Sequence, residues 1–169
     1  MNIFETGTIT AFPTDTSYGL GVRIDDAKGM DRLAKLKGRR LGQYFSIMVR
    51  DMAMLREYAK VPNWIHDDWF FECPRTAILL PTGKLPKSPH WPHAVAFRVC
   101  PVPEIQESII FPITATSCNK TGQMACYDAE KVKQVFGDAV VIHPFAPDLP
   151  RVPASEIWDC TGLSPVQIR

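Results

Sequence analysis

Three pairs of polar side chains in this sequence stand two residues apart, next to places where a strand or helix should end: Thr14 and Thr16, Lys37 and Arg39, and Ser117 and Asn119. In an extended segment, residues at that spacing point the same way. Lys37 and Arg39 straddle Gly38, the expected stop of a helix, so their cations should converge. An ammonium and a guanidinium on one spot suit a polyphosphate, the first as a point charge and the second as a planar fork of donors. The pair belongs to a run of six basic residues and one acid between Lys28 and Arg40, of which Lys28, Arg32 and Lys35 read equally well as a solvated helix face. Hydroxyls and amides just beyond strand ends are where open α/β sheets bind ligands, and they are also common turn residues that satisfy their own backbone. His66, His90, His93 and His143 are scattered, and no Ser/His/Asp triad or metal-ligand spacing is present.

The elements that must carry these groups alternate between strand and helix. Gly7 to Phe12 has the β-branched content of a strand, and the polar stretch after it closes on Gly19 and Gly21. Asp25 or Asp26 can cap a helix with Ala27, Met30, Leu33 and Ala34 on one face, ending near Gly38. Phe45 to Val49 reads as a buried strand, Asp51 as the cap of a second helix, and Pro62 as the first turn of a third that includes Trp64, Ile65 and Trp69. Thr76 to Leu80 and Ala94 to Val99 are strands. In the latter, Val95, Phe97 and Val99 share one face and Ala94, Ala96 and Arg98 the other. A short helix from Pro103 to Ile110, a strand from Ile113 to Thr116 and a helix opened by Asp128 and closed by Gly137 follow. Ala139 to Ile142 and Ser155 to Trp158 are the last strands, with four prolines stiffening the connection between them. Such alternation with long Pro-rich connections predicts one α/β domain over 1–169, built on a mixed sheet.

Composition bounds the function. With 46% hydrophobic and 22% charged residues the chain is globular, and 169 residues suit one domain. Nineteen basic against eighteen acidic residues leave a net charge of +1, which excludes a polycationic nucleic-acid coater but permits a local basic patch. No apolar run approaches the roughly 18–20 residues of a membrane span, and Met1 to Glu5 lack the basic start of a secretory leader. Five widely spaced cysteines, an odd number without a CxxC pair, predict reduced thiols and a cytoplasmic location.

Phe12 to Gly21, read as Phe-Pro-Thr-Asp-Thr-Ser-Tyr-Gly-Leu-Gly, resembles the PTDTxYGLG signature of the YrdC family of threonylcarbamoyl-AMP synthases. Lys37-Gly38-Arg39 and Ser117-Cys118-Asn119 resemble that family's KxR and SxN tetrad. Further likenesses fall in family order: Pro74 to Thr76, Val95 to Val99 with Pro103, Thr116 to Gly122, Ser155 to Ile157 with Asp159, and Arg169. Arg40, Tyr44 with Phe45, Glu72, Cys73 and Val102 stand where the family commonly has other residues.

The resemblance implies a twisted α/β sheet with a concave, basic cavity, and a reaction joining L-threonine, bicarbonate or CO2, and ATP into threonylcarbamoyl-AMP and pyrophosphate for the threonylcarbamoyladenosine modification of tRNA. Mg²⁺ would accompany the ATP, with no permanently bound metal. Downstream threonylcarbamoyl-transfer proteins would take the product, and tRNA is a further candidate partner. Carried over residue by residue, Lys37 and Arg39 become catalytic, and Thr16, Lys37, Ser117 and Ser155 hold threonine. Arg39, Arg98, Asn119 and Arg169 hold the nucleotide. Cys118 reads as a small packing residue rather than a nucleophile. The competing expectation is an RNA-binding module of the same fold that does no chemistry.

Overall fold

The computed structural model describes residues 3–40 and 42–169. Nine strands form one mixed sheet: β1 Thr10–Pro13, β2 Tyr18–Gly21, β3 Ser46–Val49, β4 Arg75–Leu79, β5 Val95–Val99, β6 Ile113–Ser117, β7 Val141–Ile142, β8 Glu156–Asp159 and β9 Val166–Gln167. Their spatial order is β7-β1-β2-β6-β3-β5-β4-β8-β9. The pairs β1/β7, β3/β5 and β4/β8 are parallel and the rest antiparallel. Four helices connect them: α1 Ala27–Lys37, α2 Met52–Tyr58, α3 Pro103–Gln106 and α4 Ala129–Phe136. No helix among the described residues is long and apolar enough to cross a membrane.

The alternation in β5 divides the molecule. Val95, Phe97 and Val99 are buried in the core with Met30 and Leu33 of α1 and Met54 and Leu55 of α2. Ala96 and Arg98 face the other way, where a cavity opens. The helix ends follow from local chemistry. Asp26 accepts from the Gly29 amide at 2.8 Å and Asp51 from the Met54 amide at 2.8 Å, so each satisfies a donor that has no partner within its helix. Gly38 ends α1 in the left-handed region (φ 64°, ψ 36°), a conformation that costs a Cβ-bearing residue.

Several expectations are corrected. The first strand runs Thr10–Pro13 rather than Gly7 to Phe12, and Tyr18–Gly21 is a strand where only a polar, glycine-closed stretch was expected. The helix at Pro62 does not form. Turns replace it, because Trp64, Ile65 and Trp69 reach their packing sites by tertiary contacts: the Trp69 ring meets Trp64, Phe70 and Trp158 edge-on, and its carbonyl accepts from Arg75 Nη1 at 2.8 Å. The helix at Pro103 has four residues. A 3-10 turn over Gly137–Ala139 shortens the following strand to Val141–Ile142, and β9 lies beyond the last expected strand.

Candidate active site

The side chains facing away from the helices line a cavity of about 650 Å³. Its wall obeys the two-residue period of a strand: Ser46 and Met48 from β3, Thr76 and Ile78 from β4, Ala96 and Arg98 from β5, Ala115 and Ser117 from β6. Cross-strand register carries the same face from strand to strand, for Met48 lies opposite Arg98 and Ser46 opposite Ala115. The alanines at 94, 96 and 115 leave the volume open. Three arginines, Arg39, Arg98 and Arg169, line it, and no Asp or Glu is among its lining residues. A second hollow of about 340 Å³, lined by Lys37, Asn119 and Gly122, meets the first at Arg39, Tyr44 and Ser117.

Thr14 organises the turn between β1 and β2. Its hydroxyl donates to the Ser17 carbonyl at 2.7 Å and accepts from the Thr16 and Ser17 amides. That donation uses its one proton, so in the 3.2 Å contact between the two threonine hydroxyls Thr16 is the donor. Gly21 brings β6 close: a Cβ there would lie 2.5 Å from the Thr114 carbonyl oxygen.

Lys37 and Arg39 do not share an extended segment, because Lys37 ends α1 and the left-handed Gly38 separates them. Lys37 is 3% exposed, and its ammonium donates to the Ser117 carbonyl, the Asn119 carbonyl (2.8 Å) and Asn119 Oδ1 (2.9 Å). All three of its protons are therefore directed at the end of β6 and the loop after it. Burial, with the like charge of Arg39, lowers its pKa to about 8. Ser117 Oγ also donates to Asn119 Oδ1 (2.7 Å), and the Asn119 amide donates to the Gln123 carbonyl. Lys37, Ser117 and Asn119 thus form one internally bonded unit. The Arg39 guanidinium donates to the Gln43 and Tyr44 carbonyls and to Thr116 Oγ1, and lies 4.4 Å from the centroid of the Phe45 ring. Burial lowers its pKa to about 10.

Arg98 rises from β5 and pairs with Asp15 of the β1–β2 turn. Ser155, just before β8, shares a 3.1 Å hydroxyl contact with Thr76, and Arg169 Nη2 donates to the Ser155 carbonyl at 3.0 Å. The structure therefore brings Thr16, Arg39, Arg98, Ser117, Ser155 and Arg169 to the main cavity. Lys37 and Asn119 lie in the adjoining hollow, outside its lining. Cys118 is fully buried and its thiol is pushed up by burial, which removes the thiolate a nucleophile needs.

Thr76, Thr116, Tyr18 and Tyr127 also line the cavity, and Asp15 reaches it through Arg98, though the sequence assigns none of them a role. Period-two spacing back from Ile78 is the available signal for Thr76; none marks Thr116, which alternates with Ser117, or Tyr127. Of the residues unusual for the resemblance, Tyr44 and Phe45 line the cavity. Glu72 is engaged with Arg75 at the start of β4, and Val102 precedes α3.

The Sua5/YciO/YrdC family model, described as "Telomere recombination", matches residues 2–169. The threonylcarbamoyl-AMP synthase of Neisseria gonorrhoeae is 28% identical over 154 residues, covering 80% of this chain and 76% of that protein. The crystal structure of P. abyssi Sua5 complexed with L-threonine superposes with a TM-score of 0.83 at 26% identity. That match covers 96% of this chain but 50% of the Sua5 chain, so the present chain spans about half of its length. The crystal structure of E. coli YciO gives a TM-score of 0.80 at 26% identity, covering 99% of this chain and 84% of that one.

Proposed function

The chain belongs to the Sua5/YciO/YrdC family, and from that premise we propose that it is a threonylcarbamoyl-AMP synthase, a nucleotidyltransferase acting on L-threonine, bicarbonate or CO2, and ATP. The observation that carries this reading is the cavity of about 650 Å³, of small-molecule size, with three arginines and several hydroxyls on its wall and no carboxylate among its lining residues. A threonine-bound relative and relatives named threonylcarbamoyl-AMP synthase support the choice of substrate and reaction.

The chemistry needs positioning and charge neutralisation rather than a covalent nucleophile. The neutral threonine amine attacks the CO2 carbon and loses a proton, giving a carbamate. A carbamate oxygen then bonds to the α-phosphorus of ATP as the bond to the departing pyrophosphate breaks. Thr16, Ser117 and Ser155 are the hydroxyls suited to hold threonine. Arg39, Arg98 and Arg169 are the cations suited to its anionic partners and to charge developing in the transfer. Lys37 and Asn119 act on this reading by fixing the loop that presents Ser117. Mg²⁺ arrives with ATP as part of the substrate. The product is a labile mixed anhydride, so proteins that transfer the threonylcarbamoyl group to tRNA are its expected recipients. A non-catalytic RNA-binding module is not favoured, because the arginines line a small-molecule cavity in a chain of net charge +1.

The test is pyrophosphate release from MgATP in the presence of L-threonine and bicarbonate. Release that depends on threonine, with threonylcarbamoyl-AMP identified by mass, is the expected result. Folded protein that binds ATP yet shows no threonine-dependent release would overturn the assignment.

A further inference from the structure

Arg98 is held from across the cavity. It stands on β5, its partner Asp15 lies in the turn between β1 and β2, and strands β6 and β3 intervene between β2 and β5 in the sheet. The pair is single-pronged: Arg98 Nη2 donates to Asp15 Oδ1 at 2.5 Å. The neighbouring Nε is buried and has no hydrogen-bond partner among the described residues. Only 10% of the Arg98 side chain is exposed, so bulk solvent does not reach that donor. A carboxylate or phosphate seated on both nitrogens would satisfy the fork that Asp15 satisfies by half. The other two cavity arginines donate only to carbonyls and a hydroxyl, which leaves Asp15 as the carboxylate in contact with a cavity cation.

Resting on the reading of the cavity as a site for a polyphosphate nucleotide, we propose that Asp15 is a specificity-determining counter-ion: it occupies the forked edge of Arg98 in the free protein and is displaced by the phosphates of the substrate. A lone small anion gains only the second prong of the fork and must displace a tethered carboxylate to reach it. A ligand carrying several charges reaches Arg39 or Arg169 as well and prevails. Once displaced, the Asp15 carboxylate faces phosphate oxygens of its own sign, a repulsion that Mg²⁺ carried by the ligand relieves. Asp15 thereby favours the metal complex of the polyphosphate over the bare anion.

Calorimetric titration with inorganic pyrophosphate, with and without Mg²⁺, tests this. The wild-type protein should bind magnesium pyrophosphate more tightly than metal-free pyrophosphate. Asp15→Asn should bind the metal-free anion about tenfold more tightly than wild type, as expected for removing a charged hydrogen-bonding competitor, and should lose most of the metal preference. The gain should vanish in an Arg98→Gln background, which a general change in folding or net charge would not produce. Unchanged or weaker binding by Asp15→Asn, or a gain that persists without Arg98, overturns the proposal. Asp15→Ser is the second variant; if neither variant folds, the pair is a structural strut and the proposal fails. Wild-type protein that shows the pyrophosphate behaviour but makes no threonylcarbamoyl-AMP would reject the synthase reading and leave this one standing.

Discussion

The Lys37 ammonium lies 2.9 Å from Asn119 Oδ1, a contact that spans 82 positions of sequence and joins the end of α1 to the loop after β6. The same oxygen accepts from Ser117 Oγ at 2.7 Å, so one side chain fixes the orientation of both groups flanking Cys118. The geometry makes Lys37 the foundation on which Ser117 is presented.

Lys37→Met should remove that foundation while keeping an unbranched side chain. It leaves the Ser117 and Asn119 carbonyls without their buried donor, at a cost of about 1–3 kcal/mol. Threonine-dependent pyrophosphate release should fall by roughly 10²-fold or more if the loop geometry serves transition-state charge. Urea unfolding and steady-state kinetics on one preparation measure both effects.

The lowered pKa of Lys37 gives a signed pH dependence. Below pH 8 both folded and unfolded chains hold its proton. Between about 8 and 10.5 the folded chain releases the proton while the unfolded chain keeps it. The unfolded state then binds more protons, so this group's contribution to stability rises with pH across that window, and its penalty is fully present below it. Activity should move oppositely, falling as pH passes about 8 and the ammonium loses one of its three donors. Melting curves and rate profiles of wild type minus Lys37→Met, from pH 7 to 10, isolate the effect from the titrating thiols and phenols.

Arg39→Lys should not restore function. Arg39 spreads its donors over the Tyr44 carbonyl, the Gln43 carbonyl and Thr116 Oγ1 while its Cζ lies over the Phe45 ring. An ammonium cannot bridge those acceptors or stack in the same way. The expected loss is on the order of 10²-fold in kcat/KM for MgATP, similar to Arg39→Ala. A lysine variant within about threefold of wild type would mean that only the charge matters.

Gly21→Ala should be the most destabilising single-methyl change near the site. The added Cβ would meet the Thr114 backbone oxygen at 2.5 Å, and backbone in a paired strand cannot swing aside. A loss of more than about 3 kcal/mol, or failure to accumulate folded protein, is expected. Gly83→Ala, where a Cβ meets nothing within 4 Å, is the control.

What could be read from the sequence follows from how local each cause is. The alternation of Val95, Phe97 and Val99 against Ala96 and Arg98 is a property of one strand, and the structure places the two sets on opposite faces. The caps at Asp26 and Asp51 are likewise local. Tyr18–Gly21 is not legible as a strand because two glycines lower strand propensity, yet Gly21 is what permits the approach of β6. The turns after Pro62 depend on Trp158 and Arg75, which are distant in sequence. The pairing of Asp15 with Arg98 joins residues 83 positions apart through the order of the strands, which no local pattern encodes.

The strand order also has a consequence for how the protein is made. Only β1/β2, β4/β5 and β8/β9 are neighbours both along the chain and in the sheet. β2 must wait for β6, which pairs Gly19 with Ser117, and β1 waits for β7, which pairs Thr10 with Val141. A chain leaving the ribosome therefore presents its first hairpin long before either flanking strand exists. Distant pairings of this kind slow folding and prolong the exposure of unpaired edges. The binding cavity, which draws on β2, β3, β4, β5, β6 and the residues around β8, can close only when residues 152–169 have been synthesised. For that reason truncation or stalling near Pro150 should yield an aggregation-prone nascent chain rather than a weakened protein.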